Sequence, residues 1–433
     1  MNHGRGEDSQ GSLSRLEPPW EIETRPTNRD ALWDLLERAK PPVMFWSAPQ
    51  GSTFIGAGAV AGTQPFAQEG HSDQLHQSRA IFNKLDYNGP EMARPRLFGG
   101  MSFDQETPRG EHWAAFPGNY FFLPDSQIVI EDEEVWHTSI GDRPDTPPRS
   151  APEYQQLPTK VATAHEPARS NWYEQVDRAC EEINSGSYSK VVLAQGLDLT
   201  LSDPVTLPTL LQTLQEENPR CYITAFKPTE SAVFVAATPE RLVRRDESIV
   251  RTDALAGSSG RGETNSTDKR LSSALEASPK NQHEHALVVD AITHELECFG
   301  GNITVGNQRV FRLETVQHLH TPIEVEYDRA PHVLELVEAL HPTPAVGGMP
   351  RNEAINAIKR IESIERGWYA APIGWLDAQG NGSFVIGIRS GVFQENTARL
   401  FAGAGIVADS DSAEEWDELQ LKYEPLLSCF TRK

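Results

Sequence analysis

The order of apolar runs is what constrains this chain most. After Ser170, segments of strand character and segments of helical spacing follow one another without the strict alternation that winds a parallel sheet. Trp172, Val176, Ala179, Cys180 and Ile183 recur at helical spacing, and Asn184-Ser185-Gly186 stops the run. Strands are predicted over 190–194, 222–226 and 233–237, the last leading into the turn Thr238-Pro239-Glu240. Ser278 as N-cap and Pro279 in the first turn announce a helix with Leu287, Val288, Ala291 and Ile292 on its apolar face. Further helices are expected over 332–340 and 352–364, strands over 382–392 and 397–402, and a final helix over 412–427. The pattern predicts an α+β fold.

Upstream, residues 21–140 read as short strands and loops. A stretch over 141–170, with Pro144, Pro147, Pro148, Pro152, Pro158 and Pro167, reads as a linker to the region 171–433. Residues 1–20 read as a flexible tail; Met1 to Leu13 is polar and lacks the apolar core of a signal peptide. With no run long enough to span a bilayer, a cytoplasmic protein is expected. The four cysteines are far apart and form no CxxC pair, so they are expected to be small core residues in a reducing compartment.

The charge balance matters for partners. With 39 basic against 62 acidic residues the chain carries −23, a field that repels nucleic acid and anionic membranes. An anionic substrate then needs a locally basic or metal-assisted site.

Two glycine clusters, Gly56-Ala57-Gly58 and Gly403-Ala404-Gly405, imitate a dinucleotide fingerprint, but neither runs into a helix. Tight turns explain them better. His283 and His285 flank Glu284 and offer only a poor transition-metal set. Carboxylates carry more. Glu415, Glu418 and Lys422 fall at i, i+3 and i+7, on one stripe of the last predicted helix. That stripe is either a solvated charged face or the rim of a cleft, because it borders Trp416, Leu419, Tyr423 and Leu426. Glu284 shares a face with Leu287, Val288 and Ala291, and a carboxylate turned toward a core requires a partner or a metal. Such carboxylates converging suit a hard divalent ion such as Mg²⁺.

A series of segments resembles one family, the chorismate-utilising enzymes. It begins with Ser189-Lys190-Val191-Val192-Leu193-Ala194, Ala237-Thr238-Pro239-Glu240-Arg241-Leu242 and Ala254-Leu255-Ala256-Gly257-Ser258. It continues through Ser278-Pro279-Lys280 to Glu284-His285, Val316-Gln317-His318-Leu319, and His341-Pro342-Thr343-Pro344-Ala345-Val346. Glu365-Arg366-Gly367-Trp368-Tyr369, Gly387-Ile388-Arg389-Ser390 and Phe401-Ala402-Gly403-Ala404-Gly405 complete it, ahead of Glu415, Glu418 and Lys422. Pro95 to Phe103 matches more loosely.

The resemblance implies two large, mostly antiparallel sheets stacked face to face, flanked by helices, with a central cleft. Residues 21–140 and 171–433 would then complete one domain. Family members resembling aminodeoxychorismate synthase carry a lysine nucleophile where this chain has Ala256. Water-using members have a lysine at the position of Lys190, so the resemblance selects isochorismate synthases or the related salicylate synthases, which go on to eliminate pyruvate. It implies Lys190 as general base and Glu240 as general acid; on their own these residues could equally be a strand lysine and a turn glutamate. It implies Glu284 and Glu418 as Mg²⁺ ligands with Glu415 close by, and Lys422, Gly257, Ser258 and Gly403 holding the ring-carboxylate end of chorismate. Tyr369 and Arg389 would grip the enolpyruvyl carboxylate, with His318 lining the ring pocket. No glutamine amidotransferase subunit is expected, and a monomer or weak homodimer is. The long N-terminal half resembles the menaquinone branch.

Overall fold

A computed structural model of the chain describes residues 20–63, 71–104, 110–141 and 156–431. Residues 1–19 of the expected tail and the prolines at 144, 147, 148 and 152 lie outside these residues, whereas Trp20, expected in the tail, is buried in an apolar core. The strand Val43–Ser47 shows how the layers form. Its side chains alternate, Met44 and Trp46 entering one apolar core and Val43 and Phe45 a second. Among the described residues the strands make two antiparallel sheets, of 12 and 10 strands. One core fills the space between the sheets and continues under the helices of the smaller sheet; the other packs helices onto the outside of the larger sheet. This is the α+β architecture the sequence predicts.

Both parts of the chain contribute to each sheet. Tyr222–Thr229 pairs with Val43–Ser47 in the larger one, and Pro372–Asp377 pairs with Arg96–Met101 in the smaller. The Trp368 ring stacks on Phe226 with centroids 4.5 Å apart. The stretch expected as a linker is partly ordered. Lys160–Glu166 is a strand paired with Gly196–Leu201, and the helix Arg169–Asn184 begins before the linker's expected end.

The helix starts follow their capping chemistry. Ser278 Oγ accepts from Asn281 N at 3.3 Å and opens Pro279–Glu297; Asp411 accepts from Ala413 N and Glu414 N and opens Ser412–Leu427.

One expected strand is two. Gly382–Ile386 lies in the smaller sheet and Ser390–Gln394 in the larger, and the chain crosses between them at Gly387-Ile388-Arg389. Arg389 takes φ +48° there, a conformation that local sequence pattern does not announce. A second crossing lies between Ala232–Thr238 and Arg241–Asp246, at Pro239-Glu240. The two crossings are tied together, with Ile386 N donating to Glu240 O at 3.0 Å and Ala237 N donating to Arg389 O at 3.1 Å. Of the cysteines, Cys221 and Cys429 are buried, whereas Cys298, expected in the core, is exposed just past the helix Pro279–Glu297. No helix of the described residues is long and apolar enough to cross a membrane.

Candidate active site

Lys190–Leu201 and Thr397–Ile406 run side by side in the larger sheet. Their register and alternation turn Lys190, Val192 and Ala194 toward the space between the sheets, opposite Gly403 and Gly405. Both glycines make room. A Cβ on Gly403 would sit 2.6 Å from the Tyr369 hydroxyl, and one on Gly405 would sit 3.0 Å from Glu284 Oε1 and 3.1 Å from Lys190 Cε.

A pocket of about 870 Å³, its open mouth included, lies at this point. The larger sheet supplies Val192, Gly403 and Gly405, and the smaller sheet Ala256, Gly257, Ser258 and His318. The crossings bring Glu240 and Arg389, and Tyr369 enters just before the strand Pro372–Asp377. Helix Pro279–Glu297 adds Lys280, Asn281 and Glu284, and helix Ser412–Leu427 adds Glu415, Glu418 and Lys422. The stripe at i, i+3 and i+7 thus rims a cleft. Lys190 stands just behind the wall, 1% exposed, its Nζ donating to Glu284 Oε1 at 2.8 Å.

Burial raises the Glu240 carboxyl to about 7, against the opposing pull of Lys190, Arg389 and Lys422. His318 is held neutral well below its ordinary pKa, first by burial and then by Arg389 and Lys422. Arg389 Nη2 lies 2.6 Å from His318 Nε2. A guanidinium only donates, so Nε2 accepts and the imidazole proton sits on Nδ1, 3.1 Å from Ser258 Oγ.

The carboxylates expected to hold a metal line one wall, and each is engaged by a lysine. Glu284 takes Lys190, Glu415 takes Lys280 at 3.3 Å, and Glu418 takes Lys422 at 2.6 Å. Lys422 Nζ also donates to Gly403 O at 2.7 Å. As placed, no three carboxylate, histidine or cysteine groups among the described residues stand close enough together to bind one ion. The donor set nevertheless fits a hard divalent cation. Burial first, and then repulsion by Glu418, pushes the Glu415 carboxyl up, and a cation between them relieves that repulsion. The histidines beside Glu284 take no part in such a set. His283 is exposed, and buried His285 lies 2.8 Å from Thr321 Oγ1.

Lys280 and Asn281 went unrecognised as site residues in the sequence. The signal was present, since Lys280 precedes Glu284 by one helical turn. The pairing of Lys190 with Glu284 had no local signal, because the partners are 94 residues apart.

A family model described as chorismate binding enzyme matches residues 20–431. The isochorismate synthase MenF of Bacillus subtilis is 35% identical over 411 residues, which cover 89% of this chain and 87% of that protein. A salicylate biosynthesis isochorismate synthase of Pseudomonas aeruginosa is 36% identical, over 88% of this chain and 83% of that protein. Among solved structures, the menaquinone-specific isochorismate synthase MenF from Escherichia coli superposes with a TM-score of 0.80 at 26% identity, over 96% of this chain and 95% of that one.

Proposed function

This chain belongs to the chorismate-binding enzymes, and from that membership we propose that it is an isochorismate synthase acting in menaquinone biosynthesis. The reaction is an isomerisation. Water adds at ring carbon two, the double bonds shift, and the hydroxyl at carbon four leaves as water, so substrate and product have one composition.

The observation that carries the reading is a protonatable glutamate lining the pocket with a lysine just behind its wall, and Ala256 where a lysine nucleophile would otherwise stand. Lys190 accepts the proton of the attacking water. An amine does so only when neutral, so the proton it shares with Glu284 leaves first. Glu240, its pKa near 7, delivers a proton to the departing oxygen. Tyr369 and Arg389 hold the enolpyruvyl carboxylate, and the fixed His318 tautomer keeps Arg389 aimed at it. Lys422, Gly257, Ser258 and Gly403 position the ring carboxylate.

Glu284 and Glu418, with Glu415 beside them, would hold Mg²⁺. When bound, the ion supplies positive charge to the ring carboxylate. Water as nucleophile requires no ammonia-delivering subunit. A cytoplasmic location is part of the same proposal.

The likeness over 96% of the chain to a menaquinone-specific enzyme supports the pathway. The 36% identity to a salicylate-biosynthesis enzyme supports a second one, in which the product goes on toward salicylate. Incubation with chorismate and Mg²⁺, followed by chromatography with and without EDTA, tests the reading. Isochorismate that disappears with EDTA is expected. Salicylate with pyruvate identifies a salicylate synthase instead, and unchanged chorismate overturns the proposal.

A further inference from the structure

The strand that carries Lys190 has an interrupted outer edge. Along one side, Thr397–Ile406 pairs with it from Val191 to Thr200. Along the other, Gly348–Met349 covers only Lys190 and Val191, and Lys160–Glu166 joins only from Gly196 onward. Among the described residues the stretch 192–195 between them has no strand on that side and only one backbone bond there, from Val192 N to Gly347 O at 2.9 Å, although buried backbone groups need partners.

Side chains from beyond helix Arg351–Ile361 complete it. Glu362 Oε1 accepts from Ala194 N at 2.8 Å, and Arg366 Nη2 donates to Val192 O at 2.7 Å. The two side chains lock together, Nε to Oε2 at 2.9 Å and Nη2 to Oε1 at 2.5 Å, each 3% exposed. Arg366 Nη1 donates to Val346 O at 2.8 Å, on the pocket wall, and the guanidinium lies 4.3 Å from the Phe103 ring centroid. The pair therefore grips the base-bearing strand and the adjoining segment at Val346 at once.

We propose that Glu362 and Arg366 are positioning residues for the chemistry, a two-residue stand-in for the missing strand that sets where Lys190 lies relative to the bound ring. This rests on the isochorismate-forming reading above. A buried ion pair is poor grounds for stability alone, since apolar replacements are often as stable. Here an apolar pair would strand the amide of Ala194 and the carbonyl of Val192. The guanidinium is also specific, because it makes four hydrogen bonds to two carbonyls and a carboxylate from three nitrogens spread over one plane, whereas an ammonium offers three donors on one nitrogen. Misplacing a reacting group by about 1 Å costs on the order of 10²-fold in rate.

Arg366→Lys and Glu362→Gln test this, read by steady-state kinetics on chorismate and by amide hydrogen exchange without substrate. For Arg366→Lys, kcat falls about 30- to 100-fold while KM stays within about 3-fold, because Arg389, His318 and Lys422 are carried on other segments. Exchange accelerates over 190–195 and 343–347 and stays unchanged in the aromatic core around Phe226 and Trp368. A wild-type kcat, or a loss matched by faster exchange throughout the molecule, overturns the proposal. If Arg366→Lys does not fold, Glu362→Gln decides. It keeps an acceptor for Ala194 but weakens the hold on Arg366, and about a 5- to 10-fold drop in kcat is expected; no drop overturns the proposal. Failure of the wild type to form isochorismate would sink the functional reading instead, and the exchange pattern would still report on the clamp.

Discussion

At the scale of single residues, Glu240 is defined by what surrounds it. It is 6% exposed and burial raises its carboxyl to about 7, so at neutral pH a large share of the molecules hold the proton that the proposed acid role requires. The direction of the pH dependence follows. An acid must be protonated to act, so kcat should fall about tenfold per pH unit above about 7. Glu240→Gln should remove that alkaline limb and lower kcat by about 10²- to 10⁴-fold. A pH–rate profile of both proteins checks this, and an unchanged limb in the variant would assign it to another group. Lys190→Ala should cost at least about 10²-fold in kcat with little change in chorismate affinity measured by titration. The family-matched motifs made both residues legible in the sequence. The ion pair of Lys190 with Glu284 and the proton on His318 Nδ1 were not, because they depend on which segments meet across the cleft.

At the scale of elements, the helices named from the sequence were placed closely, whereas Leu207–Glu217, Asn265–Ala277 and the sheet crossings were missed. Caps at Ser278 and Asp411 are local chemistry, and the last helix runs over Ser412–Leu427 as expected. The apolar run 382–392 reads as one strand because both of its halves are buried. Only the positive φ at Arg389 divides it, and an arginine carries no signal for that conformation. The strand opposite Lys190 gives a test at this scale. Gly403→Ala places a methyl carbon 2.6 Å from the Tyr369 hydroxyl, so the ring must move away from the carboxylate position proposed for it. KM should rise about tenfold, with a smaller change in kcat and an intact fold by circular dichroism. That split is opposite to the one expected for Lys190→Ala, and steady-state kinetics on the two variants separates them.

At the scale of the whole molecule, segments 20–141 and 156–431 share both sheets, so neither holds a complete set of strand partners. Urea unfolding followed by tryptophan fluorescence and by far-ultraviolet circular dichroism should give coincident transitions. Two separated midpoints would show that the segments are independent domains. The −23 charge acts at the same scale. An acidic shell repels a dianionic substrate at long range, whereas Lys280, Arg389 and Lys422 act within the pocket. Raising ionic strength from about 0.01 to about 0.15 M shortens the screening length from about 30 to about 8 Å. kcat/KM should therefore increase over that range. A decrease would mean that the pocket cations govern the approach.

The paired crossings at Pro239-Glu240 and Gly387-Ile388-Arg389 have a mechanical consequence. The acid and the arginine ride on short spans joining the layers, so sliding one layer over the other moves both groups in concert. The backbone bonds between the spans oppose such a slip and keep the distance between the two groups set by the stacking of the slabs. Strain introduced at the far rim of the sandwich would then reach the ring as a change in alignment, with every side chain around the ligand still in place.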